Sequence, residues 1–349
     1  MFDYLEVKKI FFFLCFLSCL HVQAEVQPLV LLNWADYMDP EILAKFSQQT
    51  GIEVKEVYFD SDEGRDELMA TSSGKGYDLI IVNGVAIEQY TKQNWLQAIP
   101  SPAPNNFSHI DLNWSEAFPS SKKYAVPFFW GTLGIAYRSD LVTSPITQWH
   151  DIFQPKEELK GKITLMNSAR EVIAASLKSL GYSTNTTDKK EFQQAIKLMQ
   201  QQAPHVNSYN YIDLDETSSL LTGETFAAMM YSGDALTLQE VNENIEYVLP
   251  KEGGNIWIDY FAVSASSNQK DNAWKFINFL NQPKIAAHLA EYLYYASPNK
   301  AARKLLDEEF LSDKVIFPDQ SSLKNSEFFK PLPPRQLKKL NKSFQQLVN

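Results

Sequence analysis

The sequence predicts an α/β protein in which one architectural theme is used twice. Three observations carry this. Strand-like apolar runs alternate with helix-like amphipathic stretches over residues 29–82, the alternation resumes from Gly134, and no low-complexity linker separates the halves. A β-α-β-α-β order implies an open parallel sheet. Ligands of such sheets bind beyond the carboxyl ends of the strands. A chain that crosses between two α/β lobes without a flexible tether suits a hinged cleft.

Taken in order, Leu29-Val30-Leu31-Leu32 reads as a buried strand ending at Asn33-Trp34. Asp39 caps a helix with Pro40 in its first turn, Ile42, Leu43 and Phe46 on one face and Gly51 as terminator. Ile52–Phe59 is the next strand, Glu63–Thr71 a helix, and Tyr77–Val82 the third strand. Trp34, Asp36 and Tyr37 then follow the first strand and Asn83 the third, where a ligand is expected. In the second half, Gly134–Tyr137, Gly161–Met166 and Thr225–Tyr231 read as strands, and Ala169–Leu180 as a helix closed by Gly181. Tyr247-Val248-Leu249 and Ile256–Val263 flank Pro250-Lys251-Glu252-Gly253-Gly254, a hairpin-like connection.

The N-terminus indicates a compartment. Lys8 and Lys9 precede the apolar run Ile10–Leu20, and Val22-Gln23-Ala24 places small residues at a cleavage site. This is the layout of a secretory signal peptide, with Glu25 as the first mature residue. The run is too short for a stable membrane anchor, and Phe16 and Leu17 fit a lipidation box at Cys19 poorly. Both cysteines, Cys15 and Cys19, fall in the removed segment. The mature chain therefore has no disulfide, thiolate metal site or cysteine nucleophile. The rest of the chain suffices for two domains with sizeable cores. A net charge of −10 speaks against nucleic acid and agrees with a cationic ligand.

Aromatic residues stand beside carboxylates at four separated places: Trp34 with Asp36 and Tyr37, Tyr231 with Asp234, Trp257 with Asp259, and Tyr294–Tyr295 with Glu291. A ring face accepts methylenes and ammonium groups, and an anionic oxygen accepts their N–H. Several such pairs around one cleft would hold an aliphatic polyamine. For any single pair, core filling by the ring and loop solvation by the carboxylate are the favoured explanation, and only the order and local sequence of the pairs decide. The chain has no Gly-rich phosphate loop, dinucleotide fingerprint, G-x-S-x-G elbow or H-E-x-x-H. His109, His150, His205 and His288 are scattered without ligand spacing. No cofactor, no metal and no catalytic residue are expected, and the protein is not expected to be an enzyme.

Asn33-Trp34-x-Asp36-Tyr37, followed by a helix and Gly51-Ile52-x-Val54, resembles the start of bacterial periplasmic polyamine-binding proteins, the spermidine/putrescine receptors of ABC importers. So do Tyr77-Asp78-Leu79, Pro127-x-x-Trp130-Gly131 and Ala169-Arg170-Glu171-Val172. The block Pro250-Lys251-Glu252-Gly253-Gly254-x-x-Trp257-x-Asp259 is the most discriminating, and Ser297-Pro298-Asn299-x-Ala301-Ala302-Arg303-Lys304-Leu305-Leu306 completes the series. The resemblance implies a two-lobe type II periplasmic solute-binding fold with a hinged ligand cleft. It places residues 25–130 with roughly 256–304 in one lobe and 131–255 with roughly 305–349 in the other. It also implies ligand contacts from Trp34, Asp36, Tyr37, Asn83, Glu171, Tyr231, Asp234, Trp257, Asp259 and Tyr295. Trp257 and Asp259, at i and i+2, point the same way if that stretch is extended. Two of these residues carry a second reading. Glu171 fits a capping box with Ser168 as well as a ligand contact, and Asp234 fits a helix N-cap.

Departures from the resemblance concern the pocket. Where the spermidine receptors place a tyrosine, an aspartate, a tryptophan and a glutamine, this chain has Val85, Ser168, Tyr231 and Phe329. The implied ligand is a linear polyamine such as spermidine or norspermidine. The implied partner is an inner-membrane protein, either the periplasmic domain of a GGDEF/EAL signalling enzyme that controls biofilm formation through cyclic-di-GMP, or an ABC permease. The altered pocket favours the sensor. The chain is expected to be a periplasmic monomer, and a receptor for another small solute on the same fold is the remaining alternative.

Overall fold

The computed structural model describes residues 27–348. The expected signal segment, its two cysteines and Glu25 lie outside the described residues.

Ten strands form one continuous sheet in the order β2-β1-β3-β10-β5-β8-β6-β7, with β4 on β10 and β9 on β5. The first three strands, β1 (Leu29–Trp34), β2 (Val54–Phe59) and β3 (Leu79–Asn83), are mutually parallel around β1. Short β4 (Leu96–Gln97) follows. β5 (Ala125–Arg138) is far longer than the Gly134–Tyr137 run predicted from sequence, and all but its last residue are buried. Its N-terminal part, Ala125–Thr132, pairs with β10 (Ile256–Ser264), and its C-terminal part with β8 (Ala227–Tyr231) and β9 (Ile245–Val248). β5 thus joins the two halves. β6 (Ile163–Leu165) pairs in parallel with β7 (Val206–Tyr209) and β8, repeating the first half's arrangement.

Two expectations change. The sheet is mixed rather than wholly parallel, because β10 runs antiparallel to β3 and β5. The 249–255 segment is not a hairpin. β9 and β10 do not pair with each other but lie successively along β5 in the same direction. Gly253, with φ 84°, sits where a Cβ would come 2.2 Å from the Asn325 carbonyl oxygen, so the connection is clamped by the C-terminal tail.

The helices begin as their caps dictate. Asp39 accepts from the Glu41 N–H at 2.8 Å and starts α1 (Pro40–Thr50), which buries Ile42 and Phe46 and ends on left-handed Gly51. Ser61 caps α2 (Asp62–Thr71), and Asn83 caps α3 (Gly84–Lys92) at 2.8 Å from the Ala86 N–H. Ser168 caps α4 (Ala169–Ser179), while α5 (Ser232–Val241) starts directly from β8.

The larger hydrophobic core gathers buried residues from 29–130 and 258–316, with Leu236, around the first half of the sheet. A second gathers residues 133–229 with Leu340 and Phe344 of the C-terminal α6 (Pro334–Val348), and a third, small one adjoins it. Leu306, Phe310 and Ile316 pack in the first core, whereas Leu332, Leu340 and Phe344 belong with the second. No helix among the described residues is long and apolar enough to cross a membrane.

Candidate binding cleft

The carboxyl ends of all six parallel strands converge on one place. Trp34 ends β1, Asp62 follows β2, Asn83 ends β3, Glu171 follows β6, Tyr211 follows β7, and Tyr231 with Asp234 follows β8. Trp257 and Asp259 enter from β10 and Tyr295 from the segment behind residues 283–293. Residues at these strand ends are held by a rigid sheet and stand where ligands of such sheets bind.

Four rings form a continuous wall. Trp257 stands edge-on to Tyr295 at 4.8 Å and to Tyr231 at 5.7 Å, and Tyr37 meets Tyr295 at 6.0 Å. Trp34, half-buried, leans on Phe59 at 4.3 Å beside them. The close approach of the rings to the backbone requires glycine at two points. A Cβ on Gly131 would lie 2.6 Å from the Trp257 ring, and one on Gly233 would lie 2.6 Å from Tyr295.

Three carboxylates are set into this wall. Asp259 is 9% exposed. Burial pushes its pKa up to about 7, with the charge of Asp62 adding to the rise, while Arg65 and the Tyr37 and Trp34 side chains pull it back. Tyr37 helps hold that charge, although its hydroxyl closes no hydrogen bond of good geometry. Glu171 is 7% exposed and is pushed up to about 8, again by burial first and Asp62 second. Its Oε1 accepts from Asn255 Nδ2 at 3.1 Å. Asp234 accepts from the Tyr295 hydroxyl at 2.6 Å and from the Tyr211 hydroxyl; burial raises its pKa and these two bonds lower it.

The structure bears on the capping readings of Glu171 and of Asp234. Ser168 Oγ accepts from the Glu171 N–H, but the Glu171 side chain bonds to Asn255 instead of returning to Ser168, so the capping box is half-formed. Asp234 is not an N-cap, because α5 already begins at Ser232 and Tyr231 is the capping position.

Three expectations are corrected. Asp36 is exposed, in a left-handed turn with φ 55°, and its charge acts on the exposed Tyr58 and Tyr292 rather than on the cleft. Glu291 is exposed too, and the carboxylate beside Tyr295 is Asp234. Asn83 spends its oxygen capping α3 and its amide on Asp62 at 2.5 Å, so it positions a carboxylate. Sequence reading missed Asp62, Tyr211 and Asn255. The first two follow β2 and β7, so the strand-end rule applied to every strand finds them; Asn255 carries no such signal.

Several buried polar atoms of this cleft lack a protein partner: Glu171 Oε2, Asn255 Oδ1, Tyr37 Oη and Trp257 Nε1. Buried polar groups are paired in nearly all folded proteins. The first two are acceptors, and an N–H-rich cation satisfies both. Trp257 Nε1 is a donor, which a cation leaves unsatisfied while using the ring face. Two arginines lie nearby, and Arg170 Nη1 is itself buried without a partner. Arg65 is held by Asp62, Asp66 and Tyr90, and Arg170 by Asn185 and the face of Phe329 at 4.4 Å. Among the described residues, no group of three or more histidine, cysteine or acidic side chains is arranged to hold a metal.

Residues 41–318 match the model of the family described as bacterial extracellular solute-binding protein. The chain belongs to that family. This solute-binding protein is 34% identical over 302 residues to the spermidine/putrescine-binding periplasmic protein of Escherichia coli K12, covering 86% of each chain. It is 31% identical over 324 residues to the norspermidine sensor of Vibrio cholerae O1, covering 91% of this chain and 88% of that one. Among solved structures, it superposes with a TM-score of 0.78 and 31% identity on the substrate-binding protein of a spermidine/putrescine ABC transporter from Streptococcus pneumoniae, covering 92% of this chain and 98% of that one. The fold is accordingly the two-lobe type of the periplasmic solute-binding proteins.

Proposed function

We propose that this solute-binding protein is a periplasmic receptor for a linear polyamine of the spermidine or norspermidine class. The observation that carries the reading is the set of Glu171, Asp234 and Asp259 placed around the rings of Tyr37, Tyr231, Trp257 and Tyr295. Carboxylates hold ammonium groups and ring faces hold the methylenes between them. Relatives named for spermidine, putrescine and norspermidine support the same class. Calorimetric titration of the mature protein against diamines, triamines and tetramines tests it; absence of binding across the series returns the cleft to some other small solute.

The two lobes on this reading correspond to the hydrophobic cores, with the crossings in β5 and near the start of β10. On this reading the tail joins the second lobe's core only from Leu332, since Phe317 and Phe328 still pack on the first core. N-terminal sequencing of the exported protein is expected to begin at Glu25.

We read its role as that of a sensor that, on binding, acts on a membrane cyclic-di-GMP enzyme and so on biofilm formation. The support is the likeness to the norspermidine sensor and the pocket positions Val85, Ser168, Tyr231 and Phe329. A second reading, delivery to an ABC permease, is favoured by relatives of similar identity named for transport. Deleting the gene separates the two. A sensor's loss alters the biofilm response to external polyamine and leaves uptake of labelled polyamine intact; an importer receptor's loss abolishes high-affinity uptake.

A further inference from the structure

The C-terminal tail joins the sheet at the start of β10. Asn255 and Glu327 form a parallel bridge, in which the Glu327 N–H donates to the Gly254 carbonyl at 3.1 Å and the Ile256 N–H to the Glu327 carbonyl at 3.0 Å. The Asn255 carbonyl accepts from the Leu133 N–H of β5 at 2.9 Å, so the tail is a third chain at the crossing between the halves. Successive tail side chains then alternate in direction, as in a strand. Glu327 and Phe329 turn to the second half: the carboxylate accepts from Lys178 Nζ at 2.7 Å, Ser183 Oγ at 2.6 Å and the Thr184 N–H at 2.9 Å, and Phe329 lies under Arg170. Phe328 turns to the first core, its ring 5.7 Å from Phe118 and 6.4 Å from Trp114.

The other side of this junction is α4. Glu171 and Lys178 are seven residues apart, two helical turns, and so share one face of it. Both are buried. Each reaches one member of the bridged pair: Glu171 Oε1 accepts from Asn255 Nδ2 at 3.1 Å, and Lys178 pairs with Glu327 while also donating to the Asn325 carbonyl at 2.5 Å. A buried ammonium is tolerated only where it is paired. Burial raises the Glu327 pKa, but the bonds from Lys178, Ser183 and Thr184 outweigh it and hold the carboxyl below its ordinary range. Asn255 Oδ1 has no partner, so its bond to Glu171 is what orients the amide, and the backbone held by Glu327 decides where that amide stands.

We propose that Lys178 and Glu327 are positioning residues of the binding site: their ion pair locks the tail against α4, and the locked tail fixes Asn255 and so the carboxylate of Glu171, with Phe328 extending the lock to the first half. This rests on the polyamine reading, in which Glu171 contacts the ligand through its free oxygen. Asp259 does not depend on the lock, because it lies further along β10, paired in the ladder with Asn83 of β3.

The test is calorimetric titration with spermidine in two double-mutant cycles. Glu327→Gln keeps the shape and removes the charge, and is expected to weaken binding about fivefold. Added to Glu171→Gln it is expected to cost less than about twofold more, because the positioned group is already lost; added to Asp259→Asn it is expected to cost its full factor of about five. A general loss of stability would multiply equally in both cycles. Glu327→Asp, shorter by one methylene, carries the same cycles if Glu327→Gln does not fold. Unchanged affinity in the single variant, or equal multiplication in both cycles, overturns the positioning role while the polyamine reading stands. Wild-type protein that binds no spermidine overturns both.

Discussion

The Tyr295 hydroxyl donates to Asp234 Oδ1 at 2.6 Å, a bond between groups 61 residues apart in sequence. It ties a ring packed in the first core to the first turn of α5, which leads out of the second half of the sheet. The bond therefore links side chains that come from the two halves of the sheet. Removing only the oxygen, in Tyr295→Phe, leaves the contacts with Tyr37 and Trp257 in place. A hydrogen bond to a charged group contributes about 1.5–3 kcal/mol. Polyamine affinity is expected to fall about tenfold and the ligand-free Tm to fall by several degrees, and titration beside thermal unfolding checks both.

Asp259→Asn and Trp257→Ala are each expected to weaken binding more than tenfold. A tenfold step is only ~1.4 kcal/mol, and stripping one member from a desolvated charge pair costs about 2–5 kcal/mol. Wild-type affinity in both variants, with normal folding, would place the site elsewhere.

Binding is expected to strengthen as pH rises from 6 to 9. Burial and the neighbouring Asp62 push Glu171 up to about 8 and Asp259 up to about 7, against the opposing pull of Asn255 and Arg170 on the first and of Arg65, Tyr37 and Trp34 on the second. Unfolded carboxyls titrate near ~4. Between those values the folded, ligand-free protein holds protons that the unfolded chain has lost, so its stability from these two groups falls as pH rises. Ammonium groups prefer the ionised carboxylates, so the ligand displaces protons. Titrations at pH 7 in buffers of different ionisation enthalpy are expected to report proton release, and the ligand-free Tm to drop from pH 5 to pH 8.5 by this contribution. A pH-independent affinity would contradict the burial of these groups.

Gly131→Ala is expected to damage binding through position alone. Its new methyl group would meet the Trp257 ring at 2.6 Å and Ser232 Oγ at 2.9 Å, so the tryptophan must shift. An affinity loss of about tenfold is expected, since small displacements of a desolvated contact forfeit most of it. Gly181→Ala is the contrast: with φ 78° and nothing within 4 Å of the new carbon, it strains the backbone by about 1 kcal/mol and leaves binding unchanged. Equal binding by the two variants would remove Gly131 from the account.

The sequence by itself determined what local chemistry determines. Continuous apolar runs placed β1 and β3, while Asp39, Pro40 and Gly51 bounded α1, because caps and breakers act within a few residues. Trp257 and Asp259 were legible for the same reason, since a strand puts i and i+2 on one face. The pairing of β10 and β9 along one edge of β5 was not legible. It depends on contacts more than a hundred residues apart, so the glycine-rich connection read as a hairpin.

The partners of the carboxylates were likewise decided only by the tertiary structure. Asp36 stands next to Tyr37 in sequence, yet a left-handed turn puts it outside, whereas Asp234 receives its hydroxyls from Tyr211 and Tyr295. Asp62 looked like an ordinary acidic residue at a helix start, yet Arg65 and Asn83 fix it beside the ends of β2 and β3. Electrostatic energy depends on distance and burial, and in this protein both arise from folding that brings the ends of six strands together.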